Sequence, residues 1–167
     1  MVAPARGALI LAAAAALLLA GCTTSVASAP AARSPSERQW LSNADSFIGT
    51  LDSDILMSAA GGANLASARR ALHDSSAIYT MLVAYELFGD CGHALANVGV
   101  PSARAAPVTR SLSSACARLE EASALFQEAM SRREAPRLLA ATRMVLRAVP
   151  FLSAASAELA ALGGATH

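Results

Sequence analysis

The run Ala-Ile-Tyr-Thr-Met-Leu-Val-Ala-Tyr-Glu-Leu-Phe, residues 77–88, is the stretch that decides the fold class of this chain. It is the most apolar window after residue 22, and Thr80 and Glu86 are its clearest polar interruptions. Apolar side chains occupy almost every side of the helix that it would form. Because a helix that is apolar nearly all round is usually buried on several sides, we predict that this run is the central helix of the domain.

Start and stop signals on both sides of this run predict four helices. The first starts at Ser34-Pro35-Ser36-Glu37, a capping box with proline at the first helical position, and it ends at Gly61-Gly62. Pro150 cannot donate a hydrogen bond to the carbonyl of Leu146, so we expect a kink or break near Pro150. No strand pattern in the sequence competes with this helical interpretation. The predicted fold is an all-α, up-and-down four-helix bundle with helices at about residues 35–59, 65–98, 107–132 and 136–162.

The composition supports closely packed helices and excludes a nucleic-acid partner. Hydrophobic residues make up 54% of the 167 residues and aromatic residues only 4%, so the core consists mainly of Ala, Leu, Val, Ile and Met. The formal net charge is +1, which gives no basic field that would attract nucleic acid.

The N-terminal segment has the features of an export signal. Arg6 precedes an apolar segment, residues 7–20, that is too short to span a bilayer, which takes about 20 residues. The segment ends at Leu19-Ala20-Gly21-Cys22, which resembles the lipobox of bacterial lipoprotein precursors. An ordinary secretory leader with an incidental cysteine is the alternative.

The lipoprotein resemblance implies that Cys22 is acylated, as by palmitate, and becomes the mature N-terminus. The chain then divides into a signal peptide at 1–21, lipidated Cys22 with a flexible tether at 22–34, and a helical domain at 35–164. We expect the mature chain to be lipid-anchored to the cell membrane, on its extracytoplasmic side. Residues 23–33 of this tether would span about 18 Å as a flexible linker, which keeps the domain near the membrane surface.

Cys91 and Cys116 remain as a pair after lipidation of Cys22. On antiparallel helices joined by a turn near residues 102–103 they lie at matching depths, and export places them in an oxidising compartment. We therefore predict a disulfide between them, with Gly89 and Gly92 allowing a close approach of the helices. A redox-active pair is the alternative, but its usual Cys-x-x-Cys spacing is absent.

Two polar clusters are candidate sites. Glu86, Asp90 and His93 would share one face of a continuous helix and form a weak candidate metal site, although a solvated polar stripe, or hydrogen bonds to the neighbouring hairpin end, is the favoured explanation of the spacing. Four arginines on the outer side of the last predicted helix could contact anionic headgroups or cell-wall polymers, or could simply be solvated: Arg133, Arg137, Arg143 and Arg147.

No motif in the sequence identifies a reaction type or a cofactor, so we expect none of either. The first hypothesis is an envelope lipoprotein with a non-catalytic interaction or structural role, whose partners are the membrane and an envelope protein or cell-wall polymer. The second is a module that binds a small apolar ligand among Ile78, Met81, Leu82 and Phe126. The third is a metal-dependent enzyme that uses Glu86, Asp90 and His93.

Overall fold

The computed structural model describes residues 35–164, all of which belong to one compact unit. The fold is all-α, as the sequence predicted, and its described residues form six helices and two 3-10 turns. The predicted signal peptide, Cys22 and the tether lie outside the described residues, and so do residues 165–167. The helices are α1 (Pro35–Ser58), α2 (Leu65–Ala71), α3 (Ser75–Gly89), α4 (Cys91–Asn97), α5 (Ala106–Arg132) and α6 (Ala135–Gly164), and the turns are Ala59–Gly61 and Ala103–Ala105.

The predicted boundaries of the first, third and fourth helices agree with α1, α5 and α6 to within about two residues. α1 begins at Pro35, as expected for proline at the first helical position. Gly62 follows the 3-10 turn after α1 with a φ of 87°, a left-handed conformation that glycine adopts without strain. The glycine pair therefore ends the first helical segment, as predicted.

The predicted second helix, 65–98, is wrong, because this segment forms three separate helices. The side chain of Asp74 accepts hydrogen bonds from the backbone N–H groups of Ser76 and Ala77, at 2.9 and 3.2 Å, and so caps the start of α3. Asp90 leaves the helical conformation with φ −109° and ψ 14°, which separates α3 from α4. Two aspartates thus divide a stretch whose apolar pattern suggested continuity.

α6 continues through Pro150 over 30 residues, so the helix is not broken there. Pro150 is exposed, and the missing hydrogen bond affects a carbonyl on the solvent side of the helix. A kink at this position stays a prediction.

The long helices pack against one another in four pairs. α5 and α6 share the most extensive contact, and α3 packs against α5, α1 against α6, and α1 against α3. Ser111 Oγ donates to Glu158 Oε2 between α5 and α6, and Ser123 Oγ donates to the carbonyl of Tyr85 between α5 and α3. α3 and α6 do not form a substantial packed pair.

The core has the composition that the sequence predicted, but its centre lies elsewhere. Buried alanines allow close helix contact, and Leu112, Leu119 and Leu138 fill the space between them. The α5–α6 pair supplies most of this core, whereas α3 covers only one side of it. The prediction that 77–88 is the central, buried helix is therefore wrong.

Candidate functional site

The outward side of α3 exposes four large apolar side chains, more than any other helix among the described residues. Glu86 lies in the middle of this surface and is also exposed. We call the four apolar residues around it the α3 outer face: Tyr79, Leu82, Val83 and Leu87, of which Tyr79 is 70% and Leu87 48% exposed. Clusters of exposed apolar side chains on a soluble domain commonly mark interaction sites.

The inward side of α3 is fully occupied by packing contacts. The ring of Tyr85 stacks on Phe126 with centroids 4.3 Å apart, and Phe88 meets Tyr85 edge to face at 5.4 Å. Met81 is also completely buried. Since these residues already bury one side of the helix, the apolar residues on the other side are in excess of what the fold requires.

Cys91 and Cys116 form a buried disulfide, with Sγ atoms 2.15 Å and Cα atoms 5.2 Å apart. The prediction of this pairing is confirmed. Cys91 is the first residue of α4 and Cys116 lies in the middle of α5, so the bond fixes the α3–α4 junction to α5.

Two glycines next to the disulfide permit the close helix contact, as the sequence predicted. A Cβ atom on Gly89 would lie 3.0 Å from Ser123 Oγ, and one on Gly92 would lie 2.7 Å from Glu120 Oε1. The backbone N–H of Gly92 donates to that Glu120 oxygen at 2.8 Å. Glu120 therefore caps the start of α4 from the neighbouring helix, a role that the sequence analysis missed because it depends on tertiary contact.

The structure does not gather Glu86, Asp90 and His93 into a metal site. Within residues 35–164, no group of three or more His, Cys, Asp or Glu side chains could hold a metal ion. The predicted shared face required one continuous helix, but the chain leaves helical geometry at Asp90. All three side chains are exposed.

The four arginines named above have different environments. Arg137 forms ion pairs with Glu128 and Glu134, and its pKa is raised, chiefly by the hydrogen bond to Glu134 and then by the charge of Glu128. Arg133 lies in the turn between α5 and α6 with a φ of 52°. Arg143 and Arg147 lie on the exposed side of α6, one turn apart. The predicted cationic surface is thus reduced to two arginines on α6.

Within residues 35–164, two buried side-chain oxygen atoms make no hydrogen bond, Asp54 Oδ2 and Tyr85 Oη. Burial raises the pKa of Asp54 from its ordinary value of 3.8. Burial also raises the pKa of Tyr85 to about 12, which the adjacent Thr142 hydroxyl partly opposes. Thr142 itself donates to the carbonyl of Leu138 at 3.1 Å. Both groups are therefore held in environments that favour their neutral forms.

The residues proposed to line an apolar ligand site do not share one environment. Met81 and Phe126 are buried in the core, Ile78 is half-buried and Leu82 is exposed. A cleft of about 640 Å³ lies elsewhere, open to solvent beside the start of α5. Its lining comprises Pro101, Ser102, Ala103, Ala106, Thr109, Arg110, Ser113 and Ser114.

The α3 outer face was not predicted as a site, although the sequence contained a signal for it. α3 is apolar on all sides, and a helix of only 15 residues with one neighbour on each flank cannot bury every side.

No protein-family model, curated protein or solved structure matches the chain.

Proposed function

We propose that this chain is a bacterial envelope lipoprotein, anchored to the membrane through Cys22, whose helical domain has a non-catalytic interaction role. The observation that carries the interaction role is the α3 outer face. The stretch Leu19-Ala20-Gly21-Cys22 supports the anchor. The buried Cys91–Cys116 bond supports an oxidising, extracytoplasmic location, because structural disulfides are rare in the reducing cytosol.

We also propose that the domain is an up-and-down four-helix bundle, with α2, α3 and α4 together in the place of the second helix. Support comes from the ring of neighbours α1–α3–α5–α6 and from their antiparallel contacts. In such a ring each helix has one side away from the core, so an apolar outer side is not explained by packing.

The partner that fits the α3 outer face is an envelope protein with an apolar patch and a basic group. Glu86 is the only charged residue of α3, and it lies among the four apolar side chains. An approaching protein would desolvate this carboxylate, which is costly unless a cation pairs with it. Aromatic residues such as the exposed Tyr79 are frequent anchors in interfaces of this kind.

The anchor is tested by Cys22→Ala in cells supplied with a labelled fatty acid. We expect loss of the label and either release from membranes or retention of the uncleaved precursor. Ser25→Ala, three residues away, is the matched control and should process normally. A Cys22→Ala chain that fractionates and is processed like the unsubstituted chain contradicts the proposal.

The interaction role is tested with a photoreactive amino acid at Leu82, compared with one at Leu56, an exposed leucine on α1. We expect a discrete protein adduct from position 82 in intact cells, and its loss when Glu86→Lys is added. Position 56 should give no such adduct. Absence of an adduct from position 82, or equal adducts from both positions, contradicts a partner at the α3 outer face.

Binding of a small ligand is a second candidate, favoured by the volume of the cleft beside α5. The cleft volume of about 640 Å³ falls in the range of small-molecule sites, and Arg110 in its lining could orient an anionic group of a ligand. Ala106→Trp would fill the cleft, so it should abolish any ligand copurified with the chain and leave the photo-adduct at position 82 unchanged. A metal-dependent activity at Glu86, Asp90 and His93 has no comparable support.

A further inference from the structure

The outward side of α6 combines apolar and cationic residues. Leu146 is 57% and Val149 37% exposed. Arg143, Arg147 and Pro150 lie on the same exposed side of the helix. We call these five residues the α6 outer face.

α6 is more apolar than its burial explains. It is the one helix within residues 35–164 that is long and apolar enough to cross a membrane by length and composition, yet 28% of its most apolar window is buried inside the fold. Its packing against α1, α2 and α5 shows that it is a member of the folded domain. The apolar residues outside that contact area therefore require another explanation, such as an apolar surface outside the domain.

The charges on this face have one sign. α6 contains no Asp or Glu between Ala135 and Glu158, and Glu158 is engaged with Ser111. Arg143 and Arg147 make no ion pair within the described residues, in contrast to Arg137. A surface with exposed apolar side chains, arginines and no carboxylate suits the headgroup region of an anionic bilayer. The α3 outer face does not suit it, because Glu86 would meet like charge.

The start of α1, which follows the predicted tether in the sequence, lies near the end of α6. Leu41 and Asp45 near the start of α1 line a shallow cleft together with Leu159 and Gly163 near the end of α6. Pro35 is 13 positions from Cys22 in the sequence, and a flexible chain of that length spans about 20 Å. Leu146 and Leu159 are 13 residues apart along α6, which is also about 20 Å. A lipid at Cys22 would thus hold α6 close to the bilayer surface.

We infer that the α6 outer face docks the anchored domain onto an anionic lipid surface, with Leu146 and Val149 at the acyl boundary and Arg143 and Arg147 among the headgroups. This inference rests on the lipid anchor proposed above. Each arginine raises the membrane-binding constant only about fivefold, so a domain without an anchor would bind weakly. The tether keeps the domain at a high effective concentration at the membrane surface. Weak binding by the α6 outer face is therefore sufficient to orient the domain.

The test uses the lipidated mature chain, which begins at Cys22, in vesicles of phosphatidylcholine with or without phosphatidylglycerol. Leu146→Trp reports on the α6 outer face and Leu82→Trp on the α3 outer face, each compared with the chain that contains Trp40 alone. Brominated lipids quench only a tryptophan that lies at the bilayer. We expect at least fivefold more quenching of the tryptophan introduced at position 146 than of the one introduced at position 82, and only when phosphatidylglycerol is present.

Arg143→Gln combined with Arg147→Gln should reduce the Leu146→Trp quenching at least tenfold, and so should high salt. Arg132→Gln with Arg133→Gln removes the same charge elsewhere and should leave it unchanged. Three results overturn the inference: equal quenching at both introduced tryptophans, stronger quenching at position 82, or quenching that does not depend on phosphatidylglycerol.

Flotation of the vesicles separates this inference from the proposed anchor. A chain that floats with the vesicles but shows no quenching at position 146 is anchored and not docked, which overturns the inference and leaves the anchor intact. A chain that does not float with either lipid mixture overturns the anchor and the docking together.

Discussion

α3 and α6 both expose apolar side chains, but they differ in the charges that accompany them. α3 has Glu86 among its exposed apolar residues and no basic residue. α6 has Arg143 and Arg147 beside Leu146 and no carboxylate on that part of the helix. The apolar surface of each helix predicts an interaction, and the sign of the nearby charge distinguishes a basic protein partner from an anionic lipid surface.

Both surfaces are exposed for the same structural reason. α3 packs against α1 and α5, and α6 packs against α1, α2 and α5, so that each helix has a buried side and an exposed side. Apolar residues on the exposed side contribute little to folding. Substitutions on the inner and outer sides of the same helix should therefore change the free energy of unfolding by very different amounts.

The largest expected effect comes from adjacent residues on opposite sides of α3. Phe88 is completely buried and packs against Tyr85, so Phe88→Ala should lower the free energy of unfolding by about 3–5 kcal/mol. Leu87→Ala on the α3 outer face should change it by less than about 0.5 kcal/mol. Chemical denaturation of both variants is the measurement. A similar loss for both would mean that the α3 outer face is part of the core.

The disulfide links α4 to α5, whereas α1 and α6 contain no cysteine among the described residues. Cys91→Ala with Cys116→Ala should lower the free energy of unfolding by about 3 kcal/mol for a closed loop of 25 residues. Hydrogen exchange should accelerate first in α4, whose seven residues rely on the bond and on Glu120. Exchange that accelerates first in α5 and α6 would contradict this order.

A smaller effect is expected from α1, which packs against both α3 and α6 and contains the buried Asp54. Because burial raises the folded-state pKa of Asp54 above its ordinary 3.8, the folded chain binds this proton more tightly than the unfolded chain. Stability should therefore fall as the pH rises from about 3.8 through the folded-state pKa. Asp54→Asn removes the cost of ionising this buried carboxyl and should stabilise the protein at neutral pH by about 1 kcal/mol.

Denaturation of the Asp54→Asn variant across the acidic range is the measurement. Its advantage over the unsubstituted chain should disappear below the ordinary pKa. Asp52→Asn, an exposed neighbour, is the control and should not change this part of the profile. An Asp54→Asn variant with an unchanged pH dependence would show that the carboxyl is accessible to solvent.

The smallest effect concerns the turn that joins α5 to α6. Arg133 adopts φ 52° and ψ 42°, the left-handed conformation that glycine prefers after a helix. Arg133→Gly should raise the free energy of unfolding by about 0.5 kcal/mol, since relief of the left-handed strain slightly exceeds the added freedom of glycine in the unfolded chain. Arg132→Gly, inside the last turn of α5, should lower it by about 1 kcal/mol. Thermal unfolding of the two variants should give shifts of opposite sign.

Local signals in the sequence predicted much of the fold correctly. Pro35 marks the start of α1, the glycines at 61 and 62 follow its end, and the apolar periodicity of 107–132 matches α5. The same local logic failed between residues 65 and 98, where apolar periodicity was given more weight than Asp74. That aspartate was a readable cap signal, because its carboxylate competes for backbone N–H groups at the start of a helix.

The sequence by itself determined the all-α class, most helix ends and the pairing of Cys91 with Cys116, because these depend on neighbouring residues or on matched distances from one turn. Tertiary structure alone decided that α5 and α6 form the centre, that Arg137 is neutralised by Glu128 and Glu134, and that α3 and α6 expose apolar residues. The physical reason is that periodicity shows which residues are apolar, whereas burial depends on how many neighbours surround each helix.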